Sequence, residues 1–146
     1  MTEAGDQGAT TTIRATAIAR DGRAALLMGP SGSGKSSLAL RLAALGGRLV
    51  SDDMVHVRRR DQVLIASCPR PELVGKIEAR GVGIIDIPHV PQAEIVLAVE
   101  LTKGHGARHP DPRTFELLGL TVTLYSGEVS SHFCVTLHHL LAGKPA

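Results

Sequence analysis

Residues 29–36 read GPSGSGKS, so Gly29, Gly34, Lys35 and Ser36 fall on the spacing G-x-x-x-x-G-K-[ST]. That spacing suits phosphate binding. Glycine lets a backbone curl until successive N–H groups point inward at phosphate oxygens. A helix opening near Lys35 adds the positive end of its dipole. The whole turn, Gly29, Pro30, Ser31, Gly32, Ser33, Gly34, Lys35, Ser36 and Ser37, is therefore the expected nucleotide cradle. In such a motif the lysine reaches the β- and γ-phosphates and the serine offers its hydroxyl to Mg²⁺, which makes ATP and Mg²⁺ the expected cofactors. A Gly/Ser-rich linker is the plainer alternative. Context opposes it: an apolar run precedes the stretch, and SLALRLAAL (37–45) follows with helical apolar spacing.

A phosphate cradle also needs a carboxylate near the metal and the incoming nucleophile. Asp52 and Asp53 close the next apolar run and are placed to supply it. Neighbouring side chains of an extended chain point to opposite faces, so one of the two is expected to meet the nucleotide directly. A third cluster, Ile77 to Asp86, sets Gly81 and Gly83 beside Glu78 and Arg80. Close backbone approach to a ligand and an ordinary capped turn explain that cluster equally well.

The remaining reactive side chains form no comparable set. There are seven histidines. His105 and His109 are four apart, but Gly106 and Pro110 oppose a helix that would align them. His138 and His139 point different ways on any regular element, and His132 and Cys134 lack further partners, so no zinc site is expected. Cys68 and Cys134 make neither a CxxC pair nor a disulfide framework. They read as packing residues of a protein in a reducing cytosol.

The elements that must position these residues can be read from the pattern. Ile13 to Arg20 alternates as a strand, and Asp21-Gly22 is a hairpin signal. Ala24 to Met28 is a short buried strand. Ser37 to Leu45 is a helix stopped by Gly46-Gly47. Arg48 to Ser51 is the strand that delivers the two aspartates. Val55 to Arg59 and Val63 to Ala66 form a hairpin around Arg60-Asp61. Glu72 to Arg80 is expected as a short helix. Ile84 to Ile87, Ile95 to Leu101 and Leu120 to Leu124 are further strands. Thr102 to Arg113, with two Gly, two Pro and two His, is expected as a loop that could act as a lid. His132 to Leu141 closes the chain as helix or strand.

These elements make a single α/β domain over 12–146, with the hairpins implying a mixed sheet, behind a disordered lead over 1–11. Composition agrees. With 43% hydrophobic and 21% charged residues in 146, a full core is available. Aromatics are only 2%, so the core must be aliphatic and no base-stacking surface for nucleic acid is expected. The net charge of +2 implies no polyanion partner, and the basic run Arg58-Arg59-Arg60 reads as a solvated turn. No run is long enough for a membrane span.

Taken together, the P-loop, Leu49-Val50-Ser51-Asp52-Asp53 and Glu78 to Ile85 (EARGVGII) resemble the catalytic domain of HPr kinase/phosphorylase over roughly residues 12–101. The last segment is the specific one. The chain looks like a short form lacking that family's N-terminal domain. The resemblance implies a P-loop fold like the nucleotide domain of phosphoenolpyruvate carboxykinase. It implies phosphorylation of a serine on HPr, or on a related phosphocarrier, by a cytoplasmic homo-oligomer. By position, Lys35 would bind phosphate. Ser36, Asp52 and Glu78 would hold Mg²⁺, and Asp53 would take the proton of the acceptor serine. Arg80, Gly81, Gly83 and Asp86 would shape the loop where the substrates meet.

Two positions depart from the family pattern. Arg14, in Ile13-Arg14-Ala15-Thr16, stands where the family carries a histidine, and an always-charged guanidinium cannot relay a proton. Arg14 remains a catalytic candidate as a phosphate ligand or a partner for Asp53. Leu117 stands near where a late arginine is usual, with Arg113 close by as a substitute. Kinase activity with weakened or absent phosphorylase activity is the leading expectation. A nucleotide-binding regulatory protein without catalysis and a small-molecule P-loop kinase are the alternatives.

Overall fold

The computed structural model describes residues 8–102 and 113–142. In chain order the strands are Thr10–Arg14 (β1), Thr16–Arg20 (β2), Arg23–Met28 (β3), Arg48–Ser51 (β4), Met54–Arg60 (β5) and Val63–Ser67 (β6). They continue with Lys76–Ala79 (β7), Gly83–Asp86 (β8), Gln92–Leu101 (β9), Arg113–Leu117 (β10) and Leu120–Gly127 (β11). Two helices, Lys35–Ala44 (α1) and Ser131–Leu141 (α2), complete the set.

Nine strands form one mixed sheet in the order β1-β5-β6-β9-β3-β2-β4, with the β10–β11 hairpin attached through β11. β9 is the long central strand. β3 runs parallel to it along one side. On its other side β6 pairs antiparallel near its start, and β11 pairs parallel near its end. The sheet therefore splits into two leaves beyond β9. One apolar cluster lies where α1 and α2 cover the sheet, built on Ile18, Leu27, Leu38, Leu42, Leu49, Ile77 and Leu137. A second fills the other face, where Val55, Val57 and Leu64 meet Phe115, Val122 and Leu124 of the second leaf. The core is aliphatic, as the composition requires.

Several expectations hold in detail. Asp21 (φ 52°) and Gly22 (φ 79°) form the two-residue turn between Arg20 and Arg23. β5 and β6 are an antiparallel hairpin. The closing element, open between helix and strand, is a helix. Ser130 Oγ accepts the Phe133 N–H at 3.0 Å as its cap, and Cys134, Leu137 and Leu141 fall on one buried face. Among the described residues no helix is long and apolar enough to cross a membrane.

Other expectations are corrected. The single strand over Ile13 to Arg20 is two, because the buried Ala15 turns the chain from β5 to the β3–β4 pair. β1 begins at Thr10, so the expected lead over 1–11 overlaps it at Thr10 and Thr11. Residues 1–7 lie outside the described residues, as does the expected loop and possible lid over Thr102 to Arg113 except for its two ends, and Arg113 opens β10. The expected helix over Glu72 to Arg80 is a single 3₁₀ turn, Pro71–Leu73, followed by β7. Gly75 (φ 76°) separates them, packed so closely on His89 that a side chain there would overlap the imidazole. β7 then buries Ile77 and turns Glu78 outward, a two-residue period. β10 was not expected. Phe115 and Leu117 alternate with Thr114 and Glu116, but the turn that follows uses Leu118 at φ 52° beside Gly119, and leucine gives no turn signal.

Candidate functional site

β3 ends at Met28, the glycine-rich stretch crosses the sheet's edge, and α1 begins at Lys35. Gly34 is the residue before the helix, with φ 104°, and no side chain caps the first turn. The first N–H groups of an α-helix have no partner within it, so this bare end can take an anion. Gly34 must be glycine twice over: its φ is left-handed, and a Cβ would lie 2.5 Å from Val129 Cγ2. Ser33 Oγ is buried without a hydrogen-bond partner. Lys35 Nζ is folded back onto the loop, donating to Gly29 O at 2.7 Å and Pro30 O at 3.3 Å.

The two aspartates go separate ways. Asp52 Oδ1 accepts from Ser36 Oγ at 2.8 Å and from Thr16 Oγ1 at 2.9 Å. Its Oδ2 accepts from the Glu78 N–H at 3.3 Å. One carboxylate thus ties together α1, β2 and β7. Asp53 has φ 71°, a left-handed backbone that costs a non-glycine residue energy. That twist turns its side chain outward to Arg14, whose Nη1 lies 3.3 Å from Asp53 Oδ1. The pair is open to solvent, with side chains 71% and 67% exposed.

A cavity of about 280 Å³ opens above the loop, lined by Lys35, Ser36, Arg14, Asp53, Glu78 and Arg80 among others. The predicted residues therefore converge, with exceptions. Gly29, Pro30 and Ser33 do not line the cavity, and neither does Asp52, which meets it through the Ser36 hydroxyl. Gly81 and Gly83 shape the β7–β8 turn, both at positive φ. Asp86 lies at the far end of that hairpin, paired with Lys76 at 2.8 Å and outside the cavity, so it is not placed to act with Arg80. Arg113 pairs with Glu100 at 2.6 Å and is also absent from the described lining.

Thr16 is the residue that the sequence reading missed. It is fully buried, lines the cavity, donates to Asp52 and accepts from the Asp53 N–H at 3.4 Å. A hydroxyl flanked by Ala15 and Ala17 in a strand of small apolar residues was the available signal. Among the described residues no cluster of three His, Cys, Asp or Glu side chains could hold a metal. The oxygen pair Ser36 and Asp52, with the Glu78 carboxylate on the same cavity, still suits Mg²⁺, which takes few protein ligands and keeps its waters. The bare helix end suits a phosphate. These residues fit the expected cofactors.

Outside the cavity, two groups among the described residues are shifted from their ordinary titration range. Burial pushes the Cys134 thiol up, against the opposing charge of Arg41, so it is a packing residue as expected. Cys68 is not: it is half-buried and donates to Arg70 O at 3.2 Å in the loop after β6. Burial lowers His138, helped by Arg20 and His139.

A mixed sheet carrying a glycine-rich loop, with paired aspartates one strand further on, is the arrangement expected of the HPr kinase catalytic domain. The chain belongs to the HPr Serine kinase C-terminal domain family, whose sequence profile matches residues 9–114. It is 38% identical over 97 residues to the HPr kinase/phosphorylase of Clostridium botulinum, covering 65% of this chain and 32% of that protein. It is 43% identical over 77 residues to that of Lactococcus lactis, covering 53% of this chain and 25% of that protein. The chain thus spans a third or less of the curated relatives it matches. The solved structure of the Hpr(Ser) kinase/phosphatase from Coxiella burnetii superposes with a TM-score of 0.79 at 29% identity, over 90% of this chain and 94% of that one. The mixed α/β fold is thereby shared with an enzyme of this type.

Proposed function

We propose that this chain is a Mg-ATP-dependent protein kinase that phosphorylates a serine of HPr or a related phosphocarrier. The observation that carries this reading is the division between the aspartates. Asp52 faces Ser36 at the helix end, and Asp53 faces the cavity with no claim on that serine. One carboxylate can serve the metal while the other serves the acceptor.

The chain's own residues then have distinct tasks. The N–H groups at the start of α1 hold phosphate oxygens. Lys35 leaves the Gly29 and Pro30 carbonyls for the β- and γ-phosphates. Ser36 and Asp52, with Glu78 beside them, hold the metal, which when bound neutralises phosphate charge during transfer. Asp53 takes the proton of the acceptor hydroxyl. The freed oxygen bonds to the γ-phosphorus, and the bond to the bridging oxygen breaks, its electron pair leaving with ADP. Arg80, on the same cavity, steadies the incoming segment.

Arg14 bonds the carboxylate that acts as base, and it cannot carry a proton back and forth. We read the reverse, phosphorolytic reaction as weakened or lost for that reason. The same pair supports a second reading, a nucleotide-binding regulator without turnover. We place the protein in the cytoplasm as a homo-oligomer, with the chain from Thr10 onward acting as one kinase domain.

Incubation with γ-labelled ATP, Mg²⁺ and HPr tests the main reading. Label is expected on an HPr serine. Asp53→Asn is expected to lower transfer by at least about a hundredfold while ATP still binds, the usual size of a lost general base. Full activity in that variant would remove Asp53 from the base role. Tight Mg-ATP binding with no transfer would favour the regulator.

A further inference from the structure

A second cavity, of about 250 Å³, lies on the other side of the Arg14–Asp53 pair. Those two residues are the only described ones that line both cavities. The rest of its wall comes from Ser51 and Asp52 at the end of β4, Met54 at the start of β5, and the loop after β6. Met54, Pro69 and Leu73 make it apolar on one side, and Arg70 stands at it with a cation. Leu73 is 37% exposed at the end of the Pro71–Leu73 turn, without a cover. Arg70 is exposed and makes no ion pair with any described residue.

Asp53 therefore presents to two spaces. The nucleotide cradle is one of them. The acceptor hydroxyl must meet the γ-phosphorus on the cradle side of Asp53, which leaves the space on the other side of that carboxylate for the residues flanking the hydroxyl. We infer that the second cavity is the acceptor subsite. It takes the residues flanking the phosphorylated hydroxyl on a protein segment, an apolar side chain against Met54 and Leu73 and a carboxylate against Arg70. This rests on the kinase reading and deepens it. The Arg14–Asp53 pair is the partition between donor and acceptor. An exposed ion pair of this kind is worth little, so an incoming hydroxyl can displace the guanidinium from the carboxylate at small cost.

Steady-state transfer to the HPr carrier from Mg-ATP tests the subsite with Leu73→Asp and Arg70→Glu. Each is expected to raise KM for the carrier about tenfold, the effect of losing one apolar or charged contact. KM for ATP, and kcat at saturating carrier, are expected to stay within about twofold of wild type, as for loss of uniform binding. Arg70→Glu alters an exposed charge outside the core, so it reports even if Leu73→Asp folds poorly. The proposal is overturned if carrier KM is unchanged in both variants while transfer persists, or if ATP KM rises in parallel. Absence of transfer from the wild-type chain to any carrier is a different result. It removes the kinase reading, and the acceptor subsite with it.

Discussion

Replacing Asp52 by alanine should separate the role of this residue from that of its neighbour. Its carboxylate accepts three hydrogen bonds, from Ser36, Thr16 and the Glu78 N–H. Ser36 and Glu78 border the cavity, where water can take the place of the lost oxygen. Thr16 lines the same cavity but exposes none of its own surface, so water replaces its partner less readily. An unsatisfied buried hydroxyl costs about 1–3 kcal/mol, and the lost charge-assisted bonds add to it. A total near 2–3 kcal/mol corresponds to a fall of roughly 5–10 °C in melting midpoint for a chain of this size. Asp53→Asn should stay within about 3 °C, since its pair with Arg14 is exposed and worth at most about 1 kcal/mol. The ligand arm of the same assay reads metal binding. ATP at a hundred times its dissociation constant stabilises by about 2.7 kcal/mol. In Asp52→Ala the part of that shift that depends on Mg²⁺ should vanish, and in Asp53→Asn it should persist. Differential scanning fluorimetry with and without Mg²⁺ measures both. An Asp52→Ala protein that melts with wild type, or keeps the whole Mg²⁺-dependent shift, refutes the assignment.

Two further outcomes follow from local geometry. Gly34→Ala forces an alanine to φ 104° and sets its Cβ against Val129, so a loss of about 1–3 kcal/mol in a urea titration is expected. ATP binding should weaken with it, and Val129→Ala should recover the packing part but not the backbone part. His138 is held below the ordinary histidine value, first by burial and then by Arg20 and His139. The unfolded chain therefore takes up its proton first as pH falls through the ordinary value. Stability should decline over that window and level off below the folded value, and melting midpoints of His138→Gln against pH should show a smaller decline.

The glycine-rich loop and the helix behind it were legible because their signals are local. Gly29 to Ser37 must curl and then enter a helix, and both demands are written in adjacent residues. The hairpins at Asp21-Gly22 and Arg60-Asp61, and the alternation in β9, are equally local. β7 was misread because Glu72 to Arg80 carries helix-forming residues, while the requirement to bury Ile77 against a helix forty residues earlier in the chain overrides them. β10 was missed because its turn rests on Leu118, which tertiary packing holds at a positive φ against its own preference.

The sequence by itself determined that a glycine-rich loop of phosphate-binding pattern stands between a strand and a helix, that two aspartates follow one strand later, and that the sheet is mixed. It left those aspartates interchangeable, since alternation says only that they diverge. Tertiary structure decided between them. Thr16, buried on the neighbouring strand, and Ser36, on the helix, draw Asp52 inward, and the left-handed backbone of Asp53 turns the other carboxylate out to Arg14. Such an assignment depends on hydroxyls and a guanidinium brought together from residues 14 to 78, and no local pattern can encode a meeting of groups so far apart in the chain.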